Sequence, residues 1–148
     1  MIPKVSRYVH AVFCDDVRME IGNKLTFVGV YQGVIEIQTD TLPASLPKLC
    51  VAVSAHTPAD DLFERLNLRV MRDDTLLVQA EAPREQLVTP LTDKSAKYCT
   101  MGIVFTLSPF IVDQDCSLRV YADTERGEMV SIGVKVTVKL VPDPTSMS

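Results

Sequence analysis

The chain has 148 residues and a mass of 16.4 kDa, which is the size of one ordinary domain. Hydrophobic residues make up 47% and charged residues 23% of the sequence, a balance that excludes a disordered chain, a coiled coil and a collagen-like fibre. The net charge is −4 and both halves are mildly acidic. We therefore expect neither duplex nucleic acid nor an anionic membrane surface as a partner, because both require a concentrated positive face.

The sequence carries no sign of export or of membrane insertion. No apolar run approaches the ~20 residues that a membrane-spanning helix needs. Arg7 and His10 interrupt the first apolar stretch, which is untypical of a secretory signal peptide. The four cysteines form no C-x-x-C pair, so we expect reduced, buried thiols rather than a zinc site. These features predict a cytoplasmic protein.

Strand patterns follow one another along most of the chain, which is rich in β-branched residues and so favours pleated sheet over helix. In chain order, the less regular strands are predicted at Tyr8–Cys14, Lys24–Tyr31, Val34–Gln38, Leu49–His56 and Lys97–Leu107. Lys24–Tyr31 is apolar on both faces, a pattern typical of a central strand in a packed sheet.

Two hairpins complete the set of predicted strands. In the first, apolar and polar residues alternate over residues 65–81 around an Asp73-Asp74 turn. In the second, residues 116–140 surround Gly127, which can adopt the positive φ of a tight turn. The last strand alternates throughout, so one face should be buried along its whole length. Its buried positions are predicted to be Val130, Ile132, Val134, Val136, Val138 and Leu140.

Three connecting segments are long enough to be candidate functional loops: Thr39–Pro47, Thr57–Asp61 and Pro83–Ser95. Long loops in compact domains often carry function. A crossover between two sheets would produce the same pattern, since Greek-key sandwiches need one long connection.

The densest polar cluster lies between two predicted strands, at Cys14–Lys24. In an extended chain its alternate residues point to opposite sides, which separates Asp15 from Asp16, Arg18 and Glu20. Gly22-Asn23 predicts a hairpin turn, because both residues tolerate positive φ. With the nearby tyrosine included, the candidate functional cluster is Asp15, Asp16, Arg18, Glu20, Asn23, Lys24 and Tyr31.

Three interpretations of this cluster compete. Asp15, Asp16 and Glu20 could hold a divalent cation, since hard cations need several oxygen ligands. Paired carboxylates could also perform acid–base chemistry, although no catalytic pair or phosphate-binding loop accompanies them. In the third interpretation the cluster is structural, with Arg18 pairing with Asp16 or Glu20 and with Asp15 or Asn23 fixing the turn.

The same segment carries a resemblance. The run Phe13-Cys-Asp-Asp-Val-Arg-Met-Glu-Ile-Gly-Asn-Lys24, followed by Phe27-Val-Gly-Val-Tyr31, resembles the opening of a family of small, uncharacterised bacterial and phage-borne proteins. The resemblance covers about the first forty residues and implies no known activity. It implies a bacterial or viral origin, and a virion location if the chain is phage-encoded.

A second candidate surface lies on strand faces that are predicted to be exposed to solvent. Tyr121 falls beside Arg119 on the polar side of its strand, where an interface or a cross-strand pair would explain it equally well. Several other apolar side chains also fall on polar faces and could form an exposed patch. The candidate interface residues are Met71, Leu77, Arg119, Tyr121 and Met129.

Together these patterns predict one all-β domain over residues 1–141 and a flexible tail over residues 142–148. We expect an antiparallel β-sandwich of about eight strands, immunoglobulin-like or C2-like with Greek-key connections, with a closed β-barrel as the alternative. The expected function is that of a non-enzymatic binding or assembly module for a protein partner or a second copy, acting through loops or an exposed sheet face or edge. The alternative is a domain that binds a divalent metal or another ligand at Asp15, Asp16 and Glu20; no other cofactor is expected.

Overall fold

The computed structural model describes residues 6–88 and 95–142. Within them lie twelve strands and one short helix. The strands are β1 (Tyr8–Glu20), β2 (Lys24–Val30), β3 (Val34–Thr39), β4 (Ala44–Leu46), β5 (Leu49–Pro58), β6 (Leu66–Arg72), β7 (Thr75–Glu81), β8 (Tyr98–Leu107), β9 (Phe110–Val112), β10 (Cys116–Thr124), β11 (Gly127–Val130) and β12 (Val134–Leu140), and the helix is α1 (Arg84–Val88).

The strands form sheets of the predicted class. The first has the order β2-β1-β5-β8; the second has the order β3-β12-β10-β6-β7, with β11 also paired to β10; β4 and β9 form a small third sheet. Because the chain is almost entirely strand and its described residues form no closed barrel, the predicted all-β sandwich is confirmed. The pair β3–β12 is parallel, a departure from the antiparallel arrangement that the sequence predicted.

The chain contains two compact units, each with its own buried residues. One unit holds β6, β7, β11 and residues 119–124 of β10, and its interior includes Phe63, Leu66, Val70 and Val120. The other holds β2, β3, β4, β9 and β12, and its interior includes Ile35, Leu49, Leu118 and Val136. The prediction of a single domain over residues 1–141 stays a prediction. The predicted tail lies outside the described residues, apart from Pro142.

The strand count is higher than predicted. Two short strands, β4 and β9, pair with each other across segments that were read as connections. The first strand also runs six residues further than the predicted end at Cys14. The helix α1 occupies part of the predicted loop Pro83–Ser95, and residues 89–94 of that loop lie outside the described residues. No helix among the described residues is long and apolar enough to cross a membrane.

Both predicted hairpins are present, but the last strand is divided. β11 pairs with β10 in the register Tyr121↔Val130, whereas β12 pairs with it in the register Leu118↔Val134. Between these two pairs β10 advances by three residues, whereas the β11–β12 side advances by four. The extra residue places the side chains of β12 in the opposite alternation to those of β11. Ser131 lies at this irregularity, where its N–H donates to the carbonyl oxygen of Val120 at 2.9 Å.

The change of face corrects the predicted burial of the last strand. Val134 and Val136 are buried as expected and Val138 is half-buried, but Ile132 is 93% exposed and Val130 is exposed as well. Leu140 lies on the face of Val134 and is exposed at the end of the strand. Unbroken alternation would have buried all of them. Sequence periodicity identifies a strand here, but it does not reveal that one extra residue moves the following side chains to the opposite face of the sheet.

The inserted residue leads to a direct test by paired substitutions. Leu118→Ala removes a side chain with 0% exposure and should lower the free energy of unfolding by about 2–5 kcal/mol. Ile132→Ala removes an exposed side chain and should change it by less than about 0.5 kcal/mol. Urea denaturation of both variants measures these differences. A loss at Ile132 as large as that at Leu118 would contradict the described register.

Candidate protein-binding surface

The predicted Gly22-Asn23 turn closes a long hairpin. Gly22 has φ 92° and Asn23 has φ 59°, the left-handed region in which glycine and asparagine are tolerated best. The antiparallel ladder between β1 and β2 runs from Cys14↔Val30 to Glu20↔Lys24 without a shift of register. We call residues 15–30 the hairpin arm.

The register divides the hairpin arm into two chemically different faces, since directly opposed residues share a face. On one face the pairs Val17↔Phe27 and Met19↔Leu25 are entirely apolar. On the other face the pairs are Asp16↔Val28, Arg18↔Thr26 and Glu20↔Lys24. We call Val17, Met19, Leu25 and Phe27, together with Ile21 at the turn, the apolar face.

The apolar face is open to solvent. The exposed fractions are 77% for Met19, 95% for Ile21, 45% for Leu25 and 39% for Phe27. Phe13 lies on the same side of β1, where the strand is still within the body of the protein, and it is buried. The hairpin arm thus carries a face of core-type residues beyond the point where the rest of the chain covers it. Contiguous exposed patches of this kind mark interaction sites in soluble proteins.

The outer edge of the hairpin arm is also unpaired. β2 is the terminal strand of its sheet among the described residues. The Tyr31 N–H donates to the Phe13 carbonyl oxygen at 2.8 Å at the base of the hairpin. Because an edge strand bonds its partner through alternate residues, the residues between them direct their peptide N–H and C=O groups away from β1. A free edge beside an apolar face is the arrangement that accepts another strand.

These observations correct the predicted role of Lys24–Tyr31. Apolar residues on both faces indicated a central strand, yet every residue of β2 is exposed and the strand lies at the edge of its sheet. Apolar residues on both faces indicate burial of both faces, but the described part of the chain buries neither face of β2. Met19, Ile21, Leu25 and Phe27 were therefore missing from the predicted site.

Asp15 is positioned by the base of the hairpin arm. Its carboxylate accepts a hydrogen bond of 2.7 Å from the Tyr31 hydroxyl and fills the space beside Gly29, where a Cβ would overlap it. Gly29 has φ 69°, which adds a conformational reason for glycine. Burial and the contact with Asp15 raise the pKa of Tyr31 to about 12, so the hydroxyl stays a donor at neutral pH.

Asp16 is neutralised on the opposite face. It accepts a hydrogen bond of 2.5 Å from the Lys48 ammonium group, and Arg18 Nε lies 3.6 Å from its other oxygen. The Lys48 hydrogen bond lowers the pKa of Asp16, which keeps the carboxylate charged. Lys48 was not predicted because it lies 32 positions away in the sequence. The Arg18–Asp16 pair matches the structural interpretation of the cluster.

The remaining predicted residues of the cluster lie further out on the arm. Glu20 and Lys24 oppose each other beside the turn, and Asn23 forms part of that turn. The structure therefore spreads the seven residues along the arm and over its two faces, rather than gathering them into one pocket.

The carboxylates do not converge on one point. Asp15 faces one side of β1, whereas Asp16 and Glu20 face the other with Arg18 between them. Among residues 6–88 and 95–142 no group of three or more His, Cys, Asp or Glu side chains is arranged to hold a metal ion. Binding of a divalent cation at these residues stays a prediction.

Thermal melting with and without calcium or magnesium tests the cation. We expect no rise in Tm at millimolar concentrations, because Asp15 and Asp16 lie on opposite faces and Asp16 already has a cationic partner. Occupancy at 100 times the dissociation constant would stabilise the fold by about 2.7 kcal/mol. A rise of that size, lost in Asp16→Asn, would establish the cation site instead.

The other predicted interface is not one continuous surface. Tyr121 opposes Val130 while Met129 opposes Ala122, so Tyr121 and Met129 lie on opposite faces of their hairpin. Met71, Leu77, Tyr121 and Met129 are half-buried, and Arg119 is exposed. The Arg69 guanidinium covers the Tyr121 ring at 4.6 Å and binds Asp123 at 2.8 Å. The outcome at Tyr121 is the cross-strand pair that the sequence left open.

A cleft of about 460 Å³ lies elsewhere in the described part of the chain. Its lining includes Arg7, Pro58, Asp61, Arg126 and Met129. Arg7 donates to both Glu125 oxygens at 2.9 and 2.7 Å, and to the carbonyl oxygens of Asp61 and Leu62. Arg126 binds the Asp61 carboxylate. These bonds join residue 7, residues 61–62 and residues 125–126. The charged groups of the cleft therefore take part in structural contacts.

The Arg7–Glu125 pair predicts a pH-dependent contribution to stability. The hydrogen bonds from Arg7 lower the pKa of Glu125 below its ordinary value. Its stabilising effect is therefore complete above the unfolded pKa of about 4.3 and is lost as the pH falls through the lower folded value. Glu125→Gln should cost about 1–3 kcal/mol at pH 7. Tm measured from pH 7 to pH 3 should show the two proteins converging; a constant difference would contradict this role.

Comparison with known proteins identifies a family without an activity. No curated protein and no solved structure matches the chain. A family model matches residues 9–135, which includes the hairpin arm and ends at the second residue of β12. The predicted membership of an uncharacterised family is confirmed: the chain belongs to a family of unknown function, DUF6941.

Proposed function

We propose that the chain is a non-enzymatic binding or assembly module, of bacterial or phage origin, which contacts a protein partner through the hairpin arm. The observation that carries this proposal is the apolar face, on which Met19, Ile21, Leu25 and Phe27 are exposed and Val17 is half-buried. Water contact at such residues is unfavourable by roughly 25 cal/mol per Å² of apolar surface, so a partner that covers them gains a substantial driving force.

The size of the apolar face fits a specific contact. From the exposed fractions of its residues, it presents on the order of 500 Å² of surface, at the upper end for the largest patch on an ordinary monomer. At about 25 cal/mol per Å² the gross gain is on the order of 10 kcal/mol. That is comparable to the roughly 4–15 kcal/mol that association costs, so complementary hydrogen bonding at the free edge of β2 would decide the affinity.

The polar residues of the arm support binding rather than catalysis. Tyr31 occupies one oxygen of Asp15, and Lys48 and Arg18 occupy Asp16. The Tyr31–Asp15 bond joins the two strands at the base of the hairpin, and the Lys48–Asp16 pair ties that base to another segment, which steadies the apolar face. Interfaces on rigid elements lose less entropy on binding than those on loops.

Site-directed photo-crosslinking in the cells that naturally make the protein tests this function. A benzophenone amino acid at Thr26, on the free edge, should give discrete crosslinked species. The same group at Asp74, in the turn of the β6–β7 hairpin, should give none. Discrete species from Asp74 alone, or from neither position, would contradict the proposal.

Two matched substitutions sharpen the experiment. Leu25 and Leu76 are both 45% exposed, but only Leu25 belongs to the apolar face. Leu25→Ser should reduce the Thr26 crosslink severalfold, whereas Leu76→Ser should leave it unchanged. Equal effects of the two substitutions would show that a general loss of stability, rather than the hairpin arm, controls the crosslink.

A further inference from the structure

We propose that the base of the hairpin arm is a hinge at Asp15 and Gly29, closed by the Tyr31–Asp15 hydrogen bond, which we call the latch. Tyr31 is then a positioning residue for the partner contact. This inference rests on the proposed function and adds the side chains that set the direction of the arm. The hinge lies between the buried Phe13 and the exposed residues of the arm.

The hinge is an interruption in the ladder. The pair Asp15↔Gly29 is absent from the pairing of β1 and β2, although the pairs on both sides of it keep the same register. Gly29 has φ 69°, whereas an extended strand has a negative φ. A glycine inside a strand weakens the pairing and permits a bend, and hinges consist of a few residues whose backbone angles absorb a change of direction.

Beyond the hinge the two strands form one regular unit. Five consecutive pairs, from Asp16↔Val28 to Glu20↔Lys24, follow one another without a gap. Hydrogen bonds of the ladder hold the strands of this unit together. A change of angle at the hinge therefore turns both strands together, and the apolar face turns with them.

The latch bridges the interrupted position. The Tyr31 N–H donates to the Phe13 carbonyl oxygen at 2.8 Å, which holds Tyr31 against the inner part of β1. Its hydroxyl donates to the Asp15 carboxylate at 2.7 Å. Asp15 reaches this position because Gly29 has no side chain, and a Cβ at residue 29 would overlap the carboxylate. The charged acceptor makes the latch stronger than a hydrogen bond between neutral groups.

The second tie at this end of the arm is more flexible. The Lys48 ammonium group lies 2.5 Å from Asp16 and its side chain is 43% exposed, and it is carried on a flexible four-carbon stem. This pair therefore persists over a range of arm directions. The Tyr31 side chain has only two rotatable torsions, so the latch selects one direction. A surface that is already held in one direction loses less entropy on binding.

Residual dipolar couplings of the backbone amides test the hinge in the full chain. In the unsubstituted chain the couplings of residues 16–28 and of residues 49–52 should fit one alignment tensor. Tyr31→Phe removes only the hydroxyl of the latch and should reduce the couplings of residues 16–28 by a common factor, since they average over the directions of a moving arm. Tyr98→Phe is the matched control, because it removes a tyrosine hydroxyl from β8 and should leave the arm couplings unchanged. Arm couplings in Tyr31→Phe equal to those of the unsubstituted chain would overturn the latch.

Hydrogen exchange of the same variants distinguishes a moving arm from a melted one. A hinge leaves the five pairs of the arm intact, so the arm amides that are protected in the unsubstituted chain should stay protected in Tyr31→Phe. Loss of protection throughout residues 16–28 would show that Tyr31 holds the hairpin together without directing it, and would overturn the hinge.

Two substitutions at Asp15 test whether the hydrogen bond itself positions the partner contact. Asp15→Asn keeps an oxygen that accepts the Tyr31 hydroxyl and should leave the arm couplings and the Thr26 crosslink unchanged. Asp15→Ala removes the acceptor and should lower both, the crosslink severalfold, as Tyr31→Phe does. An arm as mobile in Asp15→Asn as in Asp15→Ala would overturn the latch.

The Thr26 crosslink separates this inference from the proposed function. A crosslink that is indifferent to Tyr31→Phe and Asp15→Ala keeps the proposed function and overturns the positioning role of Tyr31. An unsubstituted chain without any Thr26 crosslink overturns both.

Discussion

The antiparallel ladder between β1 and β2 is the constraint on which the functional surface depends. It continues to Glu20↔Lys24 without a register shift, well past the position of the buried Phe13. Because side chains alternate with period two, the unshifted ladder keeps the odd-numbered residues of both strands on one face. Val17, Met19, Leu25 and Phe27 therefore form a continuous apolar face, and a slip of one residue on either strand would disperse it.

The base of the arm explains why this exposed hairpin holds one direction. An isolated two-stranded hairpin is only marginally stable in water. Here Tyr31 anchors Asp15 on one face and Lys48 anchors Asp16 on the other, so the arm is fastened on both sides where it leaves the body. Gly29 allows the Asp15 carboxylate to lie against the backbone. The polar cluster thus positions the hairpin arm, and the apolar face is the surface that the arm exposes.

Sequence reasoning predicted the fold class, both tight hairpins and the family, because these depend on local alternation and turn chemistry. The Gly22-Asn23 turn follows from the tolerance of both residues for positive φ, and the separation of Asp15 from Asp16 follows from the two-residue period of a strand. Lys48 escaped prediction because its pairing with Asp16 joins residues that are distant in sequence. The extra residue near Ser131 leaves Val130 and Ile132 exposed, against the prediction, because residue types alone do not show where an extra residue interrupts the alternation. β2 was read as central because apolar residues on both faces indicate burial without showing whether the chain itself provides it.

Hydrogen exchange at the two edges of β2 tests the central claim most directly. At the edge of a sheet, the β2 amides that point toward β1 should be protected, and the alternate amides that point to the free edge should exchange rapidly in dilute protein. Equal protection of consecutive β2 amides, or rapid exchange of all of them, would contradict the account.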